Sequence, residues 1–373
     1  MHPIRTASSV LRPTWSRPRK CSLRPCLLAF QTRREHGQPR RNPPPVPSYR
    51  PAAAKDPALP VSERNQPEEP VKRYFEEPKP QDDTSSHRGP NTGFTWSNVH
   101  YLRPGLWALS VSSGIYCLMA YLEAKKDVKP TPGMLQHRRP QSPWPRQIPP
   151  TPTEVATRWL QEMDPISKLS TGIIATCGTI HLGKTLVPKY WASLWHTPYR
   201  NVNHTLFTST FVHGGLPHLI LNMYACQMFL PQVGYSRVFE GNSNHTLAFF
   251  LTTGVLSGYA QHLLTRFSKT IFTPSGGASG AIFAVLGVYC AQYPDAQLGL
   301  LFVPGSLDAQ YFLALIMLVD LVGMIRPMKF LPLGHAAHFS GAVMGLGYSY
   351  LDGKNVIWNP LVQYWRNRLR KQT

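Results

Sequence analysis

Beyond residue 104 the chain alternates long apolar runs with short polar breaks, on a scale far longer than the 3.6-residue rhythm of a soluble amphipathic helix. A helix needs about 20 mostly apolar residues to cross a bilayer. Seven segments qualify, at 105–122, 169–187, 216–235, 246–264, 277–293, 311–325 and 335–351. The first is closed by Lys125 and Lys126, and the second is interrupted by His181 and Lys184. The fifth and seventh are short, each about 25 Å of helix at 1.5 Å per residue. Short, polar-tipped spans are poor at facing lipid and mark helices enclosed by others around a wet cavity. The pattern predicts an all-α polytopic membrane protein, with one isolated span, a linker and then a bundle of six.

The region before the first span is a different polymer. Of 37 prolines, 25 precede residue 151, and residues 1–150 hold 24 basic and 11 acidic residues. Residues 1–50 contain eleven Lys/Arg and a single acid, Glu35, with several hydroxyl residues and no secretory-length apolar stretch. That is the composition of a mitochondrial presequence. Residues 51–104 read as a Pro-rich linker that cannot bury enough apolar area to offset its ordering entropy. The remaining divisions are 105–124 for the extra span, 125–165 for a linker loop with a second Pro-rich stretch, 166–352 for the bundle and 353–373 for a basic tail.

A formal charge of +20 suggests nucleic acid at first sight. The basic residues are scattered among prolines, however, with no basic-aromatic reading module, so no nucleic-acid partner is expected. Cysteines 21, 26, 117, 177, 226 and 290 include no C-x-x-C pair, which gives neither a disulfide framework nor a zinc site. No metal or other cofactor is expected.

The chemistry lies in polar residues at membrane depth. Residues 275–280 read S-G-G-A-S-G and open the fifth apolar segment, placing Ser279 at the start of a helix. His218 and Asn222 are four apart and project from one helix face. Two such donors suit a developing oxyanion, whose stabilisation is often the largest catalytic contribution. The last segment opens G-H-A-A-H-F-S-G, then supplies Gly341 and Gly345 in the G-x-x-x-G spacing that lets another helix approach closely. Each feature alone is equally well a packing or interfacial feature. Together they supply a nucleophile, a base and oxyanion donors.

In this combination the chain resembles the rhomboid family of intramembrane serine proteases. The matching elements are H-x-x-x-N (His218, Asn222), G-x-S-G (277–280) and A-H-x-x-G-x-x-x-G (Ala337, His338, Gly341, Gly345), in the family's order across residues 166–352. The extra N-terminal span and the presequence-like leader make it look like the mitochondrial subgroup. The resemblance implies a six-helix rhomboid bundle plus one extra N-terminal transmembrane helix, in the mitochondrial inner membrane. It implies Ser279 as nucleophile and His338 as general base, a dyad without an acid. Asn222 and His218, with Gly277 and the Ser279 amide, would hold the oxyanion. Gly280, Ala284 and Gly287 would seat against Gly341 and Gly345. The implied partners are the bilayer and single-pass membrane proteins cleaved within their spans; the oligomeric state is open.

Some positions depart from the family's pattern. The loop site of a Trp-Arg pair holds His204 and Thr205, and the position four past the serine, often Tyr, is Phe283, whose ring can still stack on His338. His213 is expected to be structural. His335 is expected to be solvated or at headgroup level, and Asp320 to be a buried interhelical partner. No H-E-x-x-H and no facing pair of aspartates points to other membrane-protease chemistry. A transporter would show repeated halves, which are absent from the pattern of spans. The alternative kept is an inactive rhomboid-like scaffold that binds membrane helices. Asn203-His204-Thr205 and Asn244-His245-Thr246 match the N-glycosylation pattern and are expected in loops flanking the third span.

Overall fold

The computed structural model describes residues 99–128, 151–268, 270–300, 304–326 and 334–372. The presequence-like segment, nearly all of the first linker and the Pro-rich stretch 129–150 lie outside the described residues. In chain order the helices are α1 (Leu102–Val128), α2 (Pro152–Glu162), α3 (Pro165–Leu186), α4 (Pro188–Ser193), α5 (Thr205–Thr208), α6 (Leu216–Gly234), α7 (Ser243–Leu264), α8 (Ser279–Gln292), α9 (Ala309–Ile325), α10 (His335–Tyr350) and α11 (Asn359–Arg370). Helices α1, α3 and α6 to α10 coincide with the seven apolar segments. A two-residue antiparallel ribbon, Gln297–Leu298 with Leu307–Asp308, precedes α9.

Local sequence sets the boundaries. Asp164 caps α3, its Oδ1 accepting from the amides of Ile166 (3.0 Å) and Ser167 (2.9 Å), with Pro165 opening the first turn. The Tyr235 hydroxyl donates to the same carboxylate and ties the end of α6 to this cap. Asp164→Ala is expected to cost about 1 kcal/mol, read as a lower unfolding midpoint in detergent.

Helix α8 lies at the centre. It buries Gly280 to Ile282 and Ala284 to Cys290, packing against α6, α7, α9 and α10. Its contact with α10 is backbone on backbone. A methyl at Gly341 would overlap the Gly280 carbonyl, and one at Gly345 the Ala284 carbonyl. One at Gly287 would sit 2.6 Å from the Ala342 carbonyl oxygen. The seating expected from the glycine spacing is therefore present.

The outer helices carry apolar side chains outward. Tyr311, Leu315, Leu318, Val322 and Ile325 on α9 are exposed, as are Ile220, Leu221, Tyr224 and Met228 on α6. Bands of this kind mark surfaces that meet lipid or another protein. By length and composition α1 meets the requirement for a span, while α8 and α9 are shorter apolar helices of 14 and 17 residues.

Two stretches read as linker and tail contain helix. The linker loop 125–165 includes α2, started by a reciprocal capping box between Thr151 and Glu154 with Pro152 at the first position. The basic tail folds into a π-turn and α11, because Trp358, Leu361, Val362, Trp365 and Leu369 form an apolar stripe at helical spacing. That stripe packs on Ala120 and Ala124 of α1, and Arg366 pairs with Asp127. Helix α1 also leans on α7, where Gly105 leaves room for the Tyr259 ring.

Candidate active site

Ser279 is the first residue of α8, and the turn that delivers it is fastened from one side. Ser275 and His196 exchange backbone hydrogen bonds of 2.8 and 3.2 Å. The Gly277 amide donates to the Ser209 carbonyl at 2.9 Å, and the Ala278 amide reaches His213 Nε2 at 3.4 Å. A side chain at position 276 would press on the Trp195 ring at 3.0 Å. Gly277 has φ +136°, a region L-residues rarely adopt, and a methyl there would lie 2.9 Å from His218 Cε1. A methyl at Gly280 would overlap Ser257 Oγ of α7. The glycines thus admit Trp195, His218 and Ser257 against the serine turn.

The Ser279 hydroxyl faces His338 Nε2 at 2.8 Å, across the glycine contact of α8 and α10. Phe283, one turn below Ser279, stacks on the His338 imidazole with centroids 4.2 Å apart and planes 5° from parallel. An aromatic pair of this kind contributes about 1 kcal/mol. Phe283→Ala is accordingly expected to lower stability by about 1 kcal/mol, read as a lower unfolding midpoint in detergent, and Phe283→Tyr to preserve it. The start of α10 is held by Gln261 of α7, whose Oε1 accepts from the amides of Ala336 (3.1 Å) and Ala337 (3.3 Å). Nothing in the sequence periodicity marked Gln261; a polar side chain within an apolar span was its only signal.

On the other side, α6 brings the half-buried His218 ring against Gly277, near Ser279. Asn222 is buried one turn further along, with Nδ2 donating to the His218 carbonyl at 2.9 Å. Its amide has a second hydrogen available. His213 is fully buried, edge-on to His218 with centroids 5.1 Å apart. Burial pushes its imidazole down to about 4, so it is neutral and accepts from the Ala278 amide, the structural part expected of it. Thr205, in place of the family's loop pair, is also internal. It bonds His196 Nδ1 at 2.8 Å, His196 Nε2 meets His262 Nδ1 at 2.9 Å, and His262 Nε2 meets the His100 carbonyl at 2.9 Å. This chain ties the serine loop to α7 and to the residues just before α1.

His335 requires a correction. It is not solvated but 5 % exposed, its Nδ1 2.8 Å from Asp320 Oδ1. Gly323, one turn past Asp320, makes the room: a methyl there would collide with the His335 ring. Apolar spacing alone cannot reveal this partnership, because Asp320 lies on another helix. Asp320 itself, 2 % exposed, is the buried interhelical partner expected.

The fold and site together set a serine–histidine pair at the close contact of two apolar helices. Residues 200–355 match the family model described as the Rhomboid domain, which bears out the resemblance carried by the three motifs. The chain is 30 % identical over 219 residues to presenilin-associated rhomboid-like protein, mitochondrial, of Rattus norvegicus, covering 56 % of this chain and 55 % of that protein. It is 34 % identical over 164 residues to the Homo sapiens protein of the same name, covering 43 % and 41 %. With presenilin-associated rhomboid-like protein A, mitochondrial, of Danio rerio, it shares 30 % identity over 208 residues, covering 53 % and 52 %. The chain spans about half the length of the relatives it matches.

Proposed function

We propose that this protein is an intramembrane serine endopeptidase that hydrolyses peptide bonds within or beside transmembrane segments of single-pass proteins. The observation that carries this reading is the 2.8 Å contact between Ser279 Oγ and His338 Nε2. A serine hydroxyl is a weak nucleophile until a base accepts its proton. In the proposed reaction Ser279 Oγ attacks the scissile carbonyl while His338 Nε2 takes the hydroxyl proton. The carbonyl oxygen becomes an oxyanion, and His338 returns the proton to the departing amine, leaving an acyl-enzyme. A water, deprotonated by the same nitrogen, then releases the second product. His218, Asn222 and the amides at the start of α8, with Gly277 keeping the backbone close, would hold the oxyanion. No metal or other cofactor enters this scheme.

Substrate helices hide their carbonyls in hydrogen bonds, so cleavage needs local unwinding, and helix-breaking residues near the cut are expected to assist. Six spans, α3 and α6 to α10, would enclose the site, with α1 as an added seventh. The mitochondrial names of the relatives and the presequence-like leader support a multi-pass location in the mitochondrial inner membrane. The two N-glycosylation patterns then stay unmodified. Asn244 falls inside α7 rather than in a loop, its amide bonded to Glu123 at 2.8 Å, and Thr205 and Thr246 are buried. A glycosidase-sensitive mass shift of the native protein would overturn this location.

The direct test uses purified protein in liposomes with a single-pass reporter. Cleavage by wild type and none by Ser279→Ala supports the proposal. Reporter binding without cleavage, in liposomes and in detergent, would favour an inactive helix-binding scaffold.

A further inference from the structure

Resting on the reading of Ser279 and His338 as nucleophile and base, we propose that Asp320 is a positioning residue that orients and electrostatically supports His338, extending the dyad to Ser279–His338–Asp320. The argument begins with the proton on His338. To accept the Ser279 hydroxyl proton, Nε2 must carry a lone pair, so the neutral ring holds its hydrogen on Nδ1. That nitrogen is buried, and among the described residues it has no hydrogen-bond partner. A buried N–H without an acceptor is costly, on the order of 1–3 kcal/mol. The nearby acceptor is Asp320 Oδ1, 3.5 Å from His338 Nδ1.

The same carboxylate has matching spare capacity. Its Oδ1 contacts His335 Nδ1 at 2.8 Å, while Oδ2 is buried and among the described residues also unpartnered. A carboxylate has about four acceptor positions. His335 therefore occupies one and fixes the group, with Gly323 shaped to admit the His335 ring. A small turn of the carboxylate or of the His338 ring closes the 3.5 Å gap, since catalytic hydrogen bonds are often long until substrate binds. The groups facing the imidazole are Ser279 from α8, His218 from α6, Asp320 from α9 and His335 from its own helix; α7 faces the helix start with the uncharged Gln261. Asp320 is the acid of this set.

In the reaction the proton passes from Ser279 Oγ to His338 Nε2 and on to the leaving amine. Asp320 takes no part in this transfer; it holds the Nδ1–H and stabilises the imidazolium while it exists. His335 shares the carboxylate and takes no proton from the serine.

Asp320→Asn separates this role from that of a strut between helices. Its Oδ1 can still accept from His335, but the charge is gone. The expected result is a fall in kcat of about tenfold or more with KM nearly unchanged. The acid limb of the kcat profile should move to lower pH. A folded Asp320→Asn protein with wild-type kcat and an unmoved acid limb would overturn the proposal and leave Asp320 a strut. Should that variant fail to fold, His335→Gln decides. Gln can still donate to Asp320, so the carboxylate remains charged, and the acid limb should stay in place or move to higher pH. A marked shift to lower pH in folded His335→Gln would overturn the proposal, because His335 would then set the limb. Absence of Ser279-dependent cleavage by wild type would instead refute the protease reading itself.

Discussion

His338→Ala is expected to lower turnover to the level of Ser279→Ala, at least about a thousandfold, or roughly 4 kcal/mol in the barrier. Two histidines three residues apart open α10, and spacing alone leaves either able to serve. The structure separates them. His338 Nε2 lies 2.8 Å from Ser279 Oγ with its ring clamped by Phe283, while His335 turns to Asp320. Members of such a unit are not additive, so the Ser279→Ala, His338→Ala double variant should be no slower than either single variant. Reporter cleavage in liposomes measures all three. If His338→Ala spared activity in folded protein and His335→Ala abolished it, the base would be misassigned.

The second large effect is expected at Gly345. A side chain there must displace the Ala284 carbonyl and the Val288 amide of α8, both backbone and unable to yield by changing rotamer. Valine would push α8 and α10 apart. Overpacking of this kind costs about 1–3 kcal/mol or more, and a displacement near 1 Å at the reacting atoms costs about a hundredfold in rate. Gly345→Val should therefore lose at least about a hundredfold in kcat and melt at a lower temperature in detergent. Gly347 is the control on the same helix, since a methyl there meets nothing within 4 Å. Gly347→Ala should leave both quantities unchanged. Equal behaviour of the two variants would show that close approach at Gly345 is unimportant.

Much of this was legible in sequence for a physical reason. A helix that must be apolar along its whole length announces itself, and each of the seven runs is a helix. The serine turn, His218 with Asn222, and His338 with its glycines were legible because each is a local pattern within one turn or two of a helix. What stayed hidden depends on contacts between helices. The Asp320–His335 pair joins two elements whose spacing carries no record of the meeting, so His335 read as an interfacial residue. Gln261 caps a helix 75 residues away, and the chain Thr205–His196–His262 crosses from loop to span. Helices α2 and α11 were obscured by prolines and charge around them, although the Thr151–Glu154 box and the Trp358–Val362–Trp365 stripe mark their existence.

The central claim is that Ser279 is an activated nucleophile, and a fluorophosphonate probe reports this without any assumption about substrate. Purified protein, in detergent and again in liposomes, should be covalently labelled. Labelling should vanish in Ser279→Ala and be strongly slowed in His338→Ala. Failure of folded wild-type protein to label in both media, or undiminished labelling of Ser279→Ala, would contradict the account.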